Sequence, residues 1–69
     1  MKTVDARGLA CPEPLLMTKR AVDSDGTPLQ VLVDNRIAVG NITRWANNHK
    51  LSITVTESDD GDFTLSLNA

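Results

Sequence analysis

Apolar and polar residues alternate through the last third of this chain. Leu51, Ile53 and Val55 are interleaved with Ser52, Thr54 and Thr56, and Phe63, Leu65 and Leu67 with Thr64, Ser66 and Asn68. A period of two places each set on its own face of a strand. Between the two runs lies Asp59-Asp60-Gly61, a tight-turn sequence. The segment is therefore predicted to be a β-hairpin with one apolar and one polar face. Leu29 to Val33 (Leu-Gln-Val-Leu-Val) is nearly all apolar, as a central strand would be. Lys2 to Ala6 reads as a short first strand.

Two segments carry helical spacing instead. From about Pro12 to Val22, the residues Pro14, Met17, Thr18, Ala21 and Val22 fall on one face, with Leu15 at its margin. Leu16, Lys19 and Arg20 fall on the other side. Asp23-Ser24-Asp25-Gly26-Thr27-Pro28 is turn chemistry and is expected to end this helix. A second helix is predicted from about Ile37 to Asn48, with Ala38, Ile42, Trp45 and Ala46 on its inner face and Val39 beside them. Asp34 or Asn35 can cap it. Gly40 lowers helix propensity locally and is read as a site of close packing on the sheet. Trp45 reads as core filler. The order β-α-β-α-β-β makes an α+β fold, a two-layer α/β sandwich. A four-stranded mixed sheet would carry two helices on one face and expose Ser and Thr on the other.

Length and composition narrow the picture. With 69 residues the chain is one domain at most. One cysteine forms no internal disulfide, and with one histidine it falls short of a zinc ligand set. No metal or cofactor is expected. A lone thiol fits a reducing compartment, and the expected location is cytoplasmic. No apolar run resembles a signal peptide or could span a membrane. The net charge of −2, with one Trp, one Phe and no Tyr, argues against direct nucleic-acid binding. Lys2, Arg7, Lys19 and Arg20 make the N-terminal part the basic end, whereas Glu57, Asp59, Asp60 and Asp62 crowd the other.

The basic end holds the candidate chemistry. In Arg7-Gly8-Leu9-Ala10-Cys11-Pro12-Glu13-Pro14 the sole thiol is followed at once by proline. Proline suits the first helical position, so Cys11 is expected to be the N-cap of helix 1. There the helix dipole favours thiolate, which is the nucleophile. Pro12 and Pro14 lack N–H groups, and Glu13 brings a negative charge that Arg7, Lys19 or Arg20 would have to offset. The expectation is a reactive sulfur that is not a strongly acidic thiol. His49 lies at the far end of helix 2, so a Cys–His dyad is not expected; the histidine reads as bonding the last helical carbonyls. Leu16, an apolar residue between basic neighbours near the thiol, is a candidate docking contact together with Lys19 and Arg20.

With these residues in place, the chain resembles the TusA/SirA family of small sulfur-carrier proteins. The matching residues are Asp5, Arg7-Gly8-Leu9, Cys11-Pro12-x-Pro14, Thr18-Lys19, Val33-Asp34, Asn41-Ile42 and Asp60-Gly61…Phe63-x-Leu65. They cover essentially the whole chain. Asp34-Asn35 and Asn41-Ile42-x-Arg44-Trp45-Ala46 look most like the subgroup called YedF, which is sulfurtransferase-like and linked to selenium metabolism. In that subgroup a DsrE-like domain follows, so residues 1–69 are expected to be a single domain, with an N-terminal position in a longer two-domain protein left open.

The resemblance implies strand order 1-2-4-3. It also implies a persulfide on Cys11, framed by Arg7, Gly8, Pro12, Glu13 and Pro14. The sulfur would come from a cysteine desulfurase or rhodanese and pass to an acceptor such as a DsrE-like protein; TusA itself serves tRNA thiolation. The isolated domain is expected to be a monomer. Lys50 stands where the family often has glycine closing helix 2, and Asn47, Asn48 or His49 are expected to take the left-handed conformation there. A second reading remains: an interaction or regulatory module in which Cys11 only caps a helix.

Overall fold

Leu29–Val33 forms the strand around which the computed structural model is built, and residues 2–69 are described. In chain order the elements are β1 (Lys2–Asp5), α1 (Glu13–Asp25), β2 (Leu29–Val33), α2 (Arg36–Asn48), β3 (Ser52–Glu57) and β4 (Phe63–Asn68). The sheet order is β1-β2-β4-β3. β1 runs parallel to β2, while β4 is antiparallel to both β2 and β3. The predicted two-layer sandwich, its mixed sheet and its strand order are all present.

The register aligns Val4 with Val31, Val31 with Leu65, and Leu65 with Val55. Side chains on one face therefore meet across all the strands. Leu29, Val31, Val33, Leu65 and Leu67 are fully buried there, under Ala21 of α1 and Ala38, Ile42 and Ala46 of α2. Small residues on the helices let them approach the sheet. Each large side chain so buried contributes roughly 1.5–3 kcal/mol. Thr18 is the one buried polar residue of α1, and its hydroxyl donates to the Pro14 carbonyl at 2.8 Å. β3 is an edge strand, and Val55 on it stays 43% exposed. The predicted apolar face of the hairpin is thus covered in β4 and only partly in β3.

Local chemistry moves several predicted boundaries. α1 runs on to Asp25, because the Ser24 hydroxyl donates to the Arg20 carbonyl and Gly26, at φ 72°, ends the helix. Asn35, not Asp34, caps α2: its side chain accepts the Ala38 amide hydrogen at 2.8 Å. At the other end of α2, Lys50 itself takes the left-handed conformation at φ 59°, in place of the neighbours expected to do so. Leu51 N–H returns to the Ala46 carbonyl and Lys50 N–H to that of Asn47, the bond pair of a Schellman closure. Gly40 does not face the sheet; a Cβ built there would sit 3.6 Å from Arg44 Nη1.

Candidate functional site

The β1–α1 connection carries Cys11, and the other connections at that end of the sheet hold it in place. Gly8, at φ 78°, donates its amide hydrogen to Asp34 Oδ2 at 2.7 Å. Arg7 clamps Asp5 with two side-chain bonds, at 2.9 and 2.8 Å. It also reaches Asp62, just before β4, at 3.1 Å. The loop is thereby tied to the end of β1, to the segment following β2 and to the one preceding β4.

These bonds shift the acids involved. The side-chain hydrogen bond from Arg7, then its backbone amide, holds the Asp5 carboxyl down to about 2. The Gly8 amide, then the Asn35 side chain, holds Asp34 below the usual carboxylate range. Arg7 is engaged with two carboxylates, so its charge is already matched there and is not free to offset Glu13.

Cys11 is exposed and unpaired. It is not the N-cap. The Ala10 carbonyl accepts the Glu13 amide hydrogen at 2.9 Å, which closes a turn over Ala10–Glu13. Pro12 becomes the cap residue and Glu13 the first helical one, with no side-chain cap bond. The Glu13 N–H therefore points at a carbonyl and not at sulfur. The donor to sulfur comes from α2: Asn41 Nδ2 donates to Cys11 Sγ at 3.0 Å. Asn41 Oδ1 in turn accepts from Arg44 Nη2 at 2.6 Å.

Sequence reasoning matched Asn41 and Arg44 to a family pattern but gave neither a role. A signal was available, since asparagine is unfavourable in a helix interior unless its side chain has a partner. His49 stands apart from this site: Nδ1 faces the Trp45 carbonyl at 2.9 Å, and the two rings lie 4.8 Å apart. Trp45 is half-buried and packs against the core.

The proposed docking residues differ in exposure, and the two cations border different hollows. Leu16 is half-buried. Lys19 borders a hollow shared with Trp45 of α2 and with His49, which caps that helix. Arg20 borders another, beside Thr3 and Asp5 of β1. Exposed apolar side chains on the elements that carry Cys11 and Asn41 are Leu9, at 37% exposure, and Ile37, at 70%. Ile37 lies one turn before Asn41 and thus on the same side of α2. Among the described residues no group of three or more His, Cys, Asp or Glu could hold a metal ion. No helix among them is long and apolar enough to cross a membrane.

A lone exposed thiol at a loop–helix junction, held by an amide donor, is the geometry on which comparison with known proteins bears. The sequence profile of the family described as Sulfurtransferase TusA matches residues 2–68. The chain belongs to the TusA family. It is 34% identical over 67 residues to a protein of Methanocaldococcus jannaschii named as an inferred sulfur carrier, covering 94% of this chain and 89% of that one. A Bacillus subtilis protein named in the same way is 35% identical over 65 residues, with 88% of this chain and 83% of that one covered. The crystal structure of a SirA-like protein from Desulfitobacterium hafniense superposes with a TM-score of 0.94 at 32% identity, covering 100% of this TusA-family chain and 97% of that one.

Proposed function

We propose that Cys11 is the sulfur-carrying residue of this TusA-family protein. It accepts a persulfide sulfur from a cysteine desulfurase or rhodanese-type donor and relays it to an acceptor protein, such as a DsrE-like one. The observation that carries this reading is the exposed Cys11 sulfur with an amide donor at 3.0 Å and no histidine base beside it. A carrier needs a nucleophile, access and little else.

The transfer balances without an oxidant. The Cys11 thiolate attacks the outer sulfur of the donor persulfide. The new S–S bond forms as the donor's breaks, and the donor cysteine leaves as thiolate. Delivery repeats the exchange: an acceptor thiolate takes the outer sulfur and Cys11 leaves as thiolate.

The same exchange works for selenium, and the YedF-like residues Asp34-Asn35 and Asn41 to Ala46 favour that cargo as the finer reading. Thiolation of tRNA is the other route open to a relayed sulfur. The setting proposed is the cytoplasm, where a free thiol persists. Donors and acceptors would meet the protein around Cys11, with Leu16, Lys19 and Arg20 on the α1 flank.

Mass spectrometry after incubation with a cysteine desulfurase and cysteine tests the proposal. The wild type should gain the mass of one sulfur atom, and Cys11→Ser should not. Absence of the adduct on a folded wild type would instead favour an interaction module.

A further inference from the structure

Asn41 and Arg44 are three residues apart on α2 and share one side of it. Packing explains neither: Asn41 is half-buried and Arg44 exposed. Their bonds run in series. Arg44 Nη2 donates to Asn41 Oδ1 at 2.6 Å, and Asn41 Nδ2 donates to Cys11 Sγ at 3.0 Å. A carboxamide has one accepting and one donating end, whereas a guanidinium only donates. With Arg44 on the oxygen, the amide must turn its N–H toward the sulfur. The flipped amide would set N–H against N–H at Arg44 and oxygen against a sulfur anion at Cys11. The path of Arg44 is itself defined: Nη1 lies over Gly40, 3.6 Å from where a Cβ would stand.

We infer that Asn41 stabilises negative charge on the Cys11 sulfur and that Arg44 is a positioning residue which holds its amide in the donating orientation. The inference rests on the reading of Cys11 as the reacting sulfur, and it specifies which half of the exchange the site assists. In the unloaded protein the charge is on Sγ, where the Asn41 hydrogen bond acts. In the persulfide the charge is on the outer sulfur. A donor aimed at Sγ therefore favours the thiolate over the loaded form. It makes Cys11 a better leaving group, and Asn41 and Arg44 promote release of the cargo.

The test compares Asn41→Leu, Arg44→Ala, Arg44→Lys and the double variant Asn41→Leu/Arg44→Ala, each checked for an unchanged thermal midpoint. One readout is the rate of iodoacetamide alkylation of the unloaded protein at neutral pH. The other is transfer of sulfane sulfur to a small thiol after loading with inorganic polysulfide. Asn41→Leu should slow both by about two- to threefold: alkylation because less thiolate is present, partly offset by the higher nucleophilicity of what remains, and transfer because Cys11 leaves less readily. Arg44→Ala should slow both by less, with Arg44→Lys recovering part of the loss. In the Asn41→Leu background the Arg44 change should do nothing further. Wild-type rates in Asn41→Leu would overturn the inference. An undiminished Arg44 effect in the double variant would also overturn it, because the arginine would then act on the sulfur by charge alone. If polysulfide or enzyme loads nothing onto Cys11, the carrier function fails, while the alkylation rates still decide the roles of Asn41 and Arg44.

Discussion

Asp34 accepts the Gly8 amide hydrogen at 2.7 Å across 26 positions of sequence, which joins the loop carrying Cys11 to the end of β2. Gly8 can present that N–H because its φ of 78° suits a residue without a Cβ. Replacing Asp34 with alanine should speed hydrogen exchange at the Gly8 amide. Asp34→Asn should restore much of the protection, because its carbonyl oxygen still accepts. Equal exchange in the alanine variant and the wild type would show that the bond does not hold the loop.

Much of this arrangement is legible in the sequence, and what is not has a physical reason. Period-two alternation assigned Phe63, Leu65 and Leu67 to the core, and helical spacing did the same for Ala38, Ile42 and Ala46. Those signals are local. Helix ends depend on competition between nearby groups: the Ala10 carbonyl captured the Glu13 amide and displaced Cys11 from the cap. The Asn41–Cys11 contact spans 30 positions, and no local pattern encodes a bond between the middle of one helix and the start of another. Lys50 stands out in the sequence because it breaks the family habit. The Schellman bonds around it hold the chain in a left-handed turn that lysine does not prefer.

That turn gives a stability prediction. A non-glycine residue in the left-handed region costs roughly 1–2 kcal/mol. Glycine returns part of that gain through its larger unfolded-state entropy. Lys50→Gly should therefore stabilise the domain by about 0.5–1 kcal/mol and raise its thermal midpoint by roughly 2–8 °C. A scanning calorimetry trace with a lower midpoint would mean that Lys50 makes compensating contacts.

Acid should probe the Arg7 clamp. Asp5 is held down to about 2 in the folded protein, below its ordinary 3.8. Between those values the unfolded chain binds more protons than the folded one. Stability therefore rises with pH through that window, is fully present above about 4, and is lost as pH falls toward 2. Asp34 and Asp60, also lowered, add to the same limb. In Arg7→Ala the limb should flatten without vanishing, because the residue 7 amide still donates to Asp5. Urea unfolding at several pH values measures this, and parallel limbs in the two proteins would contradict it.

Cys11→Ser should fold like the wild type. The Cys11 side chain is exposed, makes no cap bond, and its one hydrogen-bond donor, Asn41, can donate to a hydroxyl as well. The thermal midpoint should stay within the roughly 4–8 °C that about 1 kcal/mol produces in a domain this small. A larger fall would mark the cysteine as structural and weaken every functional use of this variant as a blank.

The two cations of α1 separate the approaches a protein donor could take. Lys19 borders the hollow beside Trp45 and His49, and Arg20 the one beside β1. Steering by surface charge acts mainly on association rate and fades with salt, as the Debye length shrinks to about 3 Å at 1 M. Lys19→Glu and Arg20→Glu should therefore each slow persulfide loading by a desulfurase at low salt, with the difference closing at high salt. Alkylation by iodoacetamide, a small neutral reagent, should not change in either. If only one variant loads slowly, the donor approaches along that flank, over α2 or over β1. If both load as the wild type does at low and high salt alike, α1 is not the docking face. Contact would then be expected on the side of Leu9, two residues before Cys11, and of Ile37, one turn before Asn41, both of which expose apolar side chains.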